Sequence, residues 1–158
     1  MAEDTPDQLR QKFWDAMADD PVVVIGLFGS DKHHVPMRAQ LDKSAHGQVW
    51  FFTGRDHALA AGGACHASYI ADGHKLYASL RGRLSEERDD TVIDKHWNNA
   101  VAAWYDGGRE DPNMIMLRLD IADAEIWTVD TTIKGMFKML TGMKISPQEI
   151  GSHAETPL

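Results

Sequence analysis

The pattern of hydrophobic and polar positions predicts one amphipathic helix followed by a series of strands. Apolar residues recur at helical spacing over residues 5–19, and Thr5 with the Pro-Asp-Gln after it is typical of a capped helix start. β-Branched and aromatic runs then predict strands over Pro21–Phe28, Val35–Leu41 and Val49–Thr53. The first run is apolar throughout, which indicates a strand covered on both faces. Because short polar turns join these strands, we expect an antiparallel meander.

The rest of the chain predicts further strands separated by helices and turns. The predicted strands are Ser68–Ala71, Lys75–Ser85, Met114–Ile121 and Ala124–Val129. The predicted helices are a short one within Gly54–Ala64, a long amphipathic one over Glu86–Tyr105 and one over Thr131–Met143, followed by a polar tail over Ser146–Leu158. Asp72-Gly73 predicts a two-residue hairpin and Ala122-Asp123 a second turn. Strands without regular alternation with helices indicate a mainly β fold, an antiparallel β-barrel with peripheral helices.

Composition and charge narrow the classes of protein to which the chain can belong. Its 158 residues suit a single domain, and 24 acidic against 16 basic residues give a net charge of −8. This acidity argues against nucleic-acid binding. No apolar run is long enough to span a membrane, and the acidic first ten residues do not resemble a signal peptide. With Cys65 as the only cysteine, we expect a cytoplasmic protein without disulfides or membrane contact.

The motifs of several common enzyme classes are missing from the sequence. The eight histidines do not show the spacing of a metal site, so we expect no metal. There is no G-x-S-x-G nucleophile motif, and neither glycine-rich nucleotide loop, G-x-G-x-x-G or G-x-x-x-x-G-K-[ST], is found. These absences argue against a serine hydrolase and against a nucleotide site of either loop type.

The segment from Thr53 to Leu59 is the first candidate binding site. A strand ends there and a helix begins, and the free backbone N–H groups of a helix start suit a phosphate. Arg55 and His57 could add charge or hydrogen-bond donors. The alternative is a capped helix whose side chains are only solvated. The five tryptophans favour buried core or interface positions, because Trp combines a large apolar area with one polar group.

Several short segments, in order, resemble a known family of flavoproteins. They are Pro36–Asp42, Val49–Thr53, Gly73–Gly82, His96–Asn98, Ala102–Gly108, Asp111–Asn113, Leu117-Arg118 and Ala124–Trp127. Together they resemble the general-stress-protein branch of the pyridoxamine 5′-phosphate oxidase-like family, from Thr5 to Leu158. The resemblance implies a split β-barrel homodimer with FMN in clefts at the subunit interface. It also implies one domain over residues 1–158, with the N-terminal helix within 1–20 and a C-terminal helix and tail within 131–158.

The resemblance also implies which residues contact the cofactor. It places Met37, Arg38, Ala39 and Gln40 around the flavin ring or its tail, and Phe52, Thr53, His57, Ala58 and Leu59 near the phosphate. It places Tyr77 and Ser79 on the neighbouring strand, facing the flavin, and makes Trp104 and Trp127 candidates for contacts across the dimer. Val35, His57 and Leu59 replace the Arg, Ser and Lys of many relatives, which removes cationic contacts to the phosphate. Arg38 or Arg55 is expected to compensate.

Three functions fit these implications. The first is an FMN-dependent oxidoreductase in which Arg38 or Gln40 stabilises the reduced flavin. The second is a flavin store or redox sensor without turnover, and the third is an interaction protein without a cofactor. Deazaflavin or heme in the same cleft is a further alternative. The sequence does not match the substrate-phosphate residues of the true oxidase, so oxidation of vitamin B6 is not implied.

Overall fold

The computed structural model describes residues 3–129 and 153–158. The helices of this part are α1 (Pro6–Asp19), α2 (Asp90–His96), α3 (Asn99–Ala102) and three short 3₁₀ helices over Ala58–Ala61, Asp72–His74 and Gly108–Glu110. The strands are β1 (Val22–Leu27), β2 (Val35–Arg38), β3 (Gln48–Gly54), β4 (Gly63–Ile70), β5 (Leu76–Glu87), β6 (Met114–Thr128) and β7 (His153–Thr156).

The strands form one antiparallel sheet that curls into a nearly closed barrel. Their order is β2-β1-β4-β5-β6-β3, and β7 pairs with β6 beside β3. β2 and β3 are therefore the two edges of the sheet. Gln40, just after β2, joins them by exchanging backbone hydrogen bonds of 2.6 and 3.0 Å with Trp50 of β3. The prediction of an antiparallel barrel with peripheral helices is confirmed.

Of the described strands, β6 is the one with the most pairing partners, because it pairs with three other strands. It pairs with β5 over its length, with β3 through Met114–Asp120 and with β7 through Ala124–Trp127. Arg81 faces Asp123 and Gly82 faces Ile121, so the residue between them is an unpaired bulge. A Cβ at Gly82 would lie 2.3 Å from the Asp120 carbonyl oxygen. The predicted turn at Ala122-Asp123 is therefore wrong, because the strand passes through this position with a bulge.

α1 buries one face in the barrel core, as its amphipathic pattern predicts. The Thr5 hydroxyl accepts from the Gln8 N–H, and the Gln8 side chain accepts from the Thr5 N–H, which completes a capping box. Leu9, Phe13 and Met17 are fully buried, and the Phe13 ring meets Tyr69 of β4 edge to face at 5.7 Å. Local sequence thus sets both the start of this helix and the face that it buries.

The predicted long helix over Glu86–Tyr105 is wrong. β5 continues to Glu87, α2 ends at His96, and the backbone is extended at Trp97 and Asn98. The Asn98 side chain then accepts from the Val101 N–H at 3.0 Å and begins α3. These short helices cover a second apolar cluster outside the barrel, formed by Trp50, Ile93, Met114 and Met116 with Phe52, Trp97 and others at its margin.

Four smaller predictions are also corrected. The meander is wrong beyond β1 and β2, because β3 pairs with β6 and touches the β2 end only at the bridge. β4 begins at Gly63, well before the predicted Ser68, and the predicted tail contains β7. A 3₁₀ turn over Asp72–His74 replaces the two-residue hairpin. The predicted helix over Thr131–Met143 lies outside the described residues.

Candidate functional site

The opening of the barrel lies between β2 and β3. In the described part of the chain the single bridge at Gln40 and Trp50 joins these edges, so other edge backbone groups remain free to bind something else. Six predicted site residues belong to the two sides of this gap. Met37, Arg38, Ala39 and Gln40 lie in or just after β2, and Phe52 and Thr53 lie in β3.

The side chains at this gap differ in what they can offer to a ligand. Arg38 is exposed, and no acidic side chain among the described residues pairs with it. Met37 is half-buried against the barrel core, and Ala39 is buried within it. Thr53 is buried, and the Phe52 ring meets Trp97 edge to face at 5.8 Å, toward the α2 cluster. Arg38 is therefore the free cation at the gap within the described ranges.

The segment after β3 forms a tight turn rather than an α-helix. His57 caps the four-residue 3₁₀ helix, and its Nδ1 accepts from the Leu59 N–H at 3.1 Å. A neutral ring that accepts at Nδ1 carries its proton on Nε2, so Nε2–H remains a donor. Leu59 is buried in the barrel core and Ala58 is exposed. The turn thus offers an imidazole N–H, while the Leu59 N–H is already used.

Arg55 is already bound within the protein. Its Nη1 lies 3.0 Å from Glu86 Oε1, and its Nε donates to the Pro112 carbonyl at 3.3 Å. Its backbone N–H donates to the Asn113 carbonyl at 2.7 Å. Backbone N–H groups of Gly107 and Asn113 hold the Asp111 carboxylate and lower its pKa, which fixes the loop that carries these partners. Arg38 is thus better placed than Arg55 to supply a free cation.

Tyr77, Ser79 and Trp127 form a separate group on the outer face of the sheet. Tyr77 stands opposite Trp127 of β6, and Ser79 opposite Ser68 of β4. Three strand spacings separate β5 from β2, a path of about 14 Å across the sheet. Trp104 lies apart from this group, after α3, with 84% of its surface exposed.

One chain does not bring the turn at His57 to the Tyr77 group. Gly62, which ends the 3₁₀ helix, lies against Leu84 of β5, since a Cβ there would be 2.8 Å from the Leu84 carbonyl oxygen. Leu84 and Tyr77 are seven residues apart on the same strand, about 23 Å. The turn at His57 and the face group of Tyr77, Ser79 and Trp127 therefore lie apart on one chain, whereas Arg38, on the β2 side of the gap, shares the outer face with Tyr77.

The outer face of the sheet carries exposed apolar residues, two of which, Val22 and Val24, belong to the strand predicted to be covered on both faces. Val22, Val24, Ile70 and Trp127 are 38%, 43%, 52% and 38% exposed. Arg38 stands opposite Val22, and Ile70 opposite Tyr77, so this surface runs from β2 to β6. In the sequence, the continuous apolar run of β1 is the feature that indicates an apolar outer face. Its outward side chains have no cover from the described residues of one copy.

The described residues hold neither a metal-ligand cluster nor a helix suited to a bilayer. Residues 3–129 and 153–158 contain no group of three or more His, Cys, Asp or Glu side chains placed to hold a metal ion. Within those ranges, no helix has the length and apolarity needed to cross a bilayer.

Comparison with known proteins identifies the family. The family model described as pyridoxamine 5′-phosphate oxidase like matches residues 8–148. The chain belongs to the pyridoxamine 5′-phosphate oxidase-like family. The resemblance found in the sequence is thereby confirmed. No match is found among curated proteins.

Solved structures of this family share the fold over most of the chain. A general stress family protein from Xanthomonas campestris is 42% identical, with a TM-score of 0.75, covering 84% of this chain and 94% of that one. The general stress FMN/FAD binding protein of Xanthomonas citri is also 42% identical, with a TM-score of 0.74 and coverages of 80% and 93%. General stress protein 26 from Jannaschia sp. CCS1 is 27% identical, with a TM-score of 0.78 and coverages of 98% and 100%.

Proposed function

We propose that this chain is an FMN-binding homodimer with oxidoreductase activity. One structural observation carries the proposal: the turn at His57 lies far from the Tyr77 group on one subunit, and that group lies on an apolar face that the described residues of a single copy leave exposed. A second subunit that covers this face would bring its own contact residues to a shared cleft. The similarity to the Xanthomonas citri FMN/FAD binding protein supports a flavin as the ligand.

The residues at the gap have the chemistry that FMN requires. At the gap, Arg38 offers a guanidinium that no acidic side chain among the described residues pairs with, and in the turn after β3 His57 offers an Nε2–H donor; both suit the anionic parts of the ligand. A charge-assisted hydrogen bond of this kind contributes about 1.5–3 kcal/mol. Gln40, whose backbone forms the bridge, carries a polar amide side chain, and Tyr77 and Trp127 offer aromatic surface on the face group. These donors and surfaces fit an aromatic ring system with a phosphorylated tail.

The role of the protein in the reaction is to bind and orient the cofactor. A bound flavin supplies the redox chemistry, because its ring system accepts a hydride. Arg38 or Gln40 would then stabilise negative charge by donating hydrogen bonds, and the covered apolar face would exclude water. We assign no general base to the chain.

The binding test is spectroscopic. The purified protein should show flavin bands between about 350 and 500 nm, or acquire them on titration with FMN at micromolar concentration. Sedimentation should give the mass of a dimer. A protein that neither carries nor binds FMN would contradict the proposal. Bands of another shape would indicate deazaflavin or heme.

The activity test separates an enzyme from a sensor. The FMN-loaded protein is mixed anaerobically with NADH or NADPH, and absorbance is followed near the flavin maximum. Rapid bleaching supports an oxidoreductase. Bound flavin that stays oxidised with both donors would contradict the nicotinamide-dependent activity and favour a flavin store or sensor.

A further inference from the structure

Two side chains of α2 hold the barrel where it closes. The His96 ring stacks on the Trp50 indole, with ring centres 5.2 Å apart and planes inclined by 30°. The neighbouring Lys95 Nζ donates to Asp42 Oδ2 at 2.6 Å. Asp42 lies two residues after Gln40, so both contacts reach the segments that form the bridge. We call this pair of contacts, His96 with Trp50 and Lys95 with Asp42, the α2 clamp.

Trp50 connects the clamp rigidly to the gap. Its indole Nε1–H donates to the Glu87 carboxylate at 3.0 Å in a buried position. Its backbone exchanges both hydrogen bonds with Gln40. The same residue therefore contacts α2, the end of β5 and the bridge, in a packed interior that resists deformation. These contacts connect α2, through Trp50, to the bridge that spans the gap.

His96 is the group in the clamp that can change state near neutral pH. It is only 8% exposed, and among the described residues its Nε2 has no hydrogen-bond partner. The charged groups that act on it are Asp42 from the loop before β3 and Lys95 on α2. Asp94 on the same helix is paired with Arg109, and beyond Trp50 lie Glu87 and Arg118. Asp42 is already bound by Lys95 and Ser44, which lower its pKa, so it stays ionised while His96 titrates. A buried imidazolium would have to compete with Lys95 for this carboxylate.

We propose that protonation of His96 opens the α2 clamp and so regulates the gap between β2 and β3. With a neutral ring, α2 is held on Trp50 and the bridge is fixed. A proton on His96 places a charge in a buried position and weakens the packing of α2 on Trp50. The clamp itself follows from the contacts, and its effect on flavin rests on the proposed function.

The direction of the pH effect follows from burial. Burial lowers the pKa of His96 below its ordinary value of 6.5, because it disfavours the charged ring. The unfolded or released state then binds the proton more tightly than the clamped state. The clamp is therefore at full strength above pH 6.5 and weakens as pH falls through the lowered pKa.

The first experiment uses the protein without flavin. Hydrogen exchange of residues 90–96 is compared at two pH values, about 7.5 and 5.5, in the wild type and in His96→Phe, which keeps a ring against Trp50 but cannot titrate. We expect acid to raise exchange, after correction for the intrinsic rate, by about threefold or more in the wild type only. His66→Gln is the matched control, because it removes a histidine that is exposed on β4 and does not belong to the clamp. Equal acid effects in wild type and His96→Phe would overturn the clamp.

A measurement on the wild type covers the case in which His96→Phe does not fold. The NMR signals of the His96 ring and of the Trp50 Nε1–H are followed through a pH titration. The proposal requires both to shift with one midpoint below 6.5. Different midpoints for the two signals, or a Trp50 Nε1–H signal that does not shift with pH, would contradict the proposal.

The second experiment asks whether the clamp controls flavin binding. FMN dissociation constants are measured at both pH values in the same variants. The phosphate of FMN also titrates in this range, so the difference between wild type and His96→Phe is the informative quantity. We expect acid to weaken FMN binding about threefold more in the wild type. Equal weakening of FMN binding by acid in the two proteins would disprove regulation of the gap. If neither protein binds FMN at pH 7.5, the proposed function is refuted, but the hydrogen-exchange result still tests the clamp.

Discussion

Arg55 and Glu86 form an ion pair with 3.0 Å between Nη1 and Oε1, although sequence reasoning offered Arg55 as a free cation for a phosphate. The same guanidinium also donates to the Pro112 carbonyl. A side chain with two internal partners has to lose contacts before it binds a ligand. Arg38, which has no acidic partner among the described residues, does not carry this cost.

We therefore expect Arg38→Ala to weaken FMN binding about tenfold, the loss of one charge-assisted hydrogen bond. Its melting temperature without flavin should change little, because Arg38 is exposed. Fluorescence titration with FMN measures the effect. Arg83→Ala, which changes another exposed strand arginine, is the control and should bind as the wild type does. An unchanged dissociation constant in Arg38→Ala would remove Arg38 from the site.

Arg55→Ala should change the FMN dissociation constant by less than about threefold, because its charge is already used by Glu86. The pair is partly exposed, so its loss should lower the free energy of unfolding by less than about 1 kcal/mol. Titration with FMN and urea unfolding measure the two quantities. A loss of affinity as large as that of Arg38→Ala would show that Arg55 leaves Glu86 to bind the ligand.

The capping box predicts a separable effect on stability. Thr5→Ala removes the acceptor for the Gln8 N–H and should lower the free energy of unfolding by about 1 kcal/mol. Thr5→Ser keeps the hydroxyl and should be nearly neutral. Both variants should bind FMN equally well, since Thr5 lies at the opposite end of α1 from Pro21, whose carbonyl accepts from the Ala39 N–H beside the gap. Urea denaturation followed by circular dichroism gives the comparison, and equal stability of all three proteins would contradict the role of the cap.

The bulge on β6 predicts a strong effect at Gly82. A Cβ there would approach the Asp120 carbonyl oxygen to 2.3 Å, and this oxygen belongs to the backbone of a paired strand. We expect Gly82→Ala to cost about 1–3 kcal/mol of unfolding free energy. Arg83→Ala on the same strand is the control and should cost less than about 0.5 kcal/mol. A neutral Gly82→Ala would mean that β5 and β6 can separate locally at low cost.

The thiol of Cys65 should be unreactive in the folded protein. Burial raises the pKa of Cys65 to about 11, so the thiolate is scarce at pH 8, and the side chain is only 1% exposed. We expect iodoacetamide to label Cys65 slowly in buffer and rapidly in denaturing urea. Mass spectrometry measures the extent of labelling with time. Fast labelling of the native protein would show that β4 opens readily.

Local features of the fold were accessible from the sequence, and non-local ones were not. The start of α1 depends on Thr5 and Gln8, three positions apart, and its prediction is confirmed. The pairing of β3 with β6 joins Trp50 to Arg118, and no local pattern encodes such a partner. The apolar spacing through Trp97 suited one long helix, but the Asn98 cap divides it in two. Local sequence preferences could not show whether the apolar spacing or the Asn98 cap determines the structure there.

The candidate site shows the same division. The residue types that suit a flavin were visible in the sequence, and the family resemblance selected their positions. The partner that occupies Arg55 comes from β5, in a segment predicted to be helical, so the ion pair with Glu86 could not be foreseen. The stack of His96 on Trp50 likewise joins residues far apart in the chain.

The sharing of β6 among three neighbours has a consequence for how this protein can evolve. An added or lost residue in most strands would disturb one or two pairings, but in β6 it would shift alignments with β5, β3 and β7 together. A one-residue slip also exchanges inward and outward side chains. Length changes among descendants of this gene should therefore concentrate in connections such as residues 29–34, and the span of β6 should keep a constant number of residues.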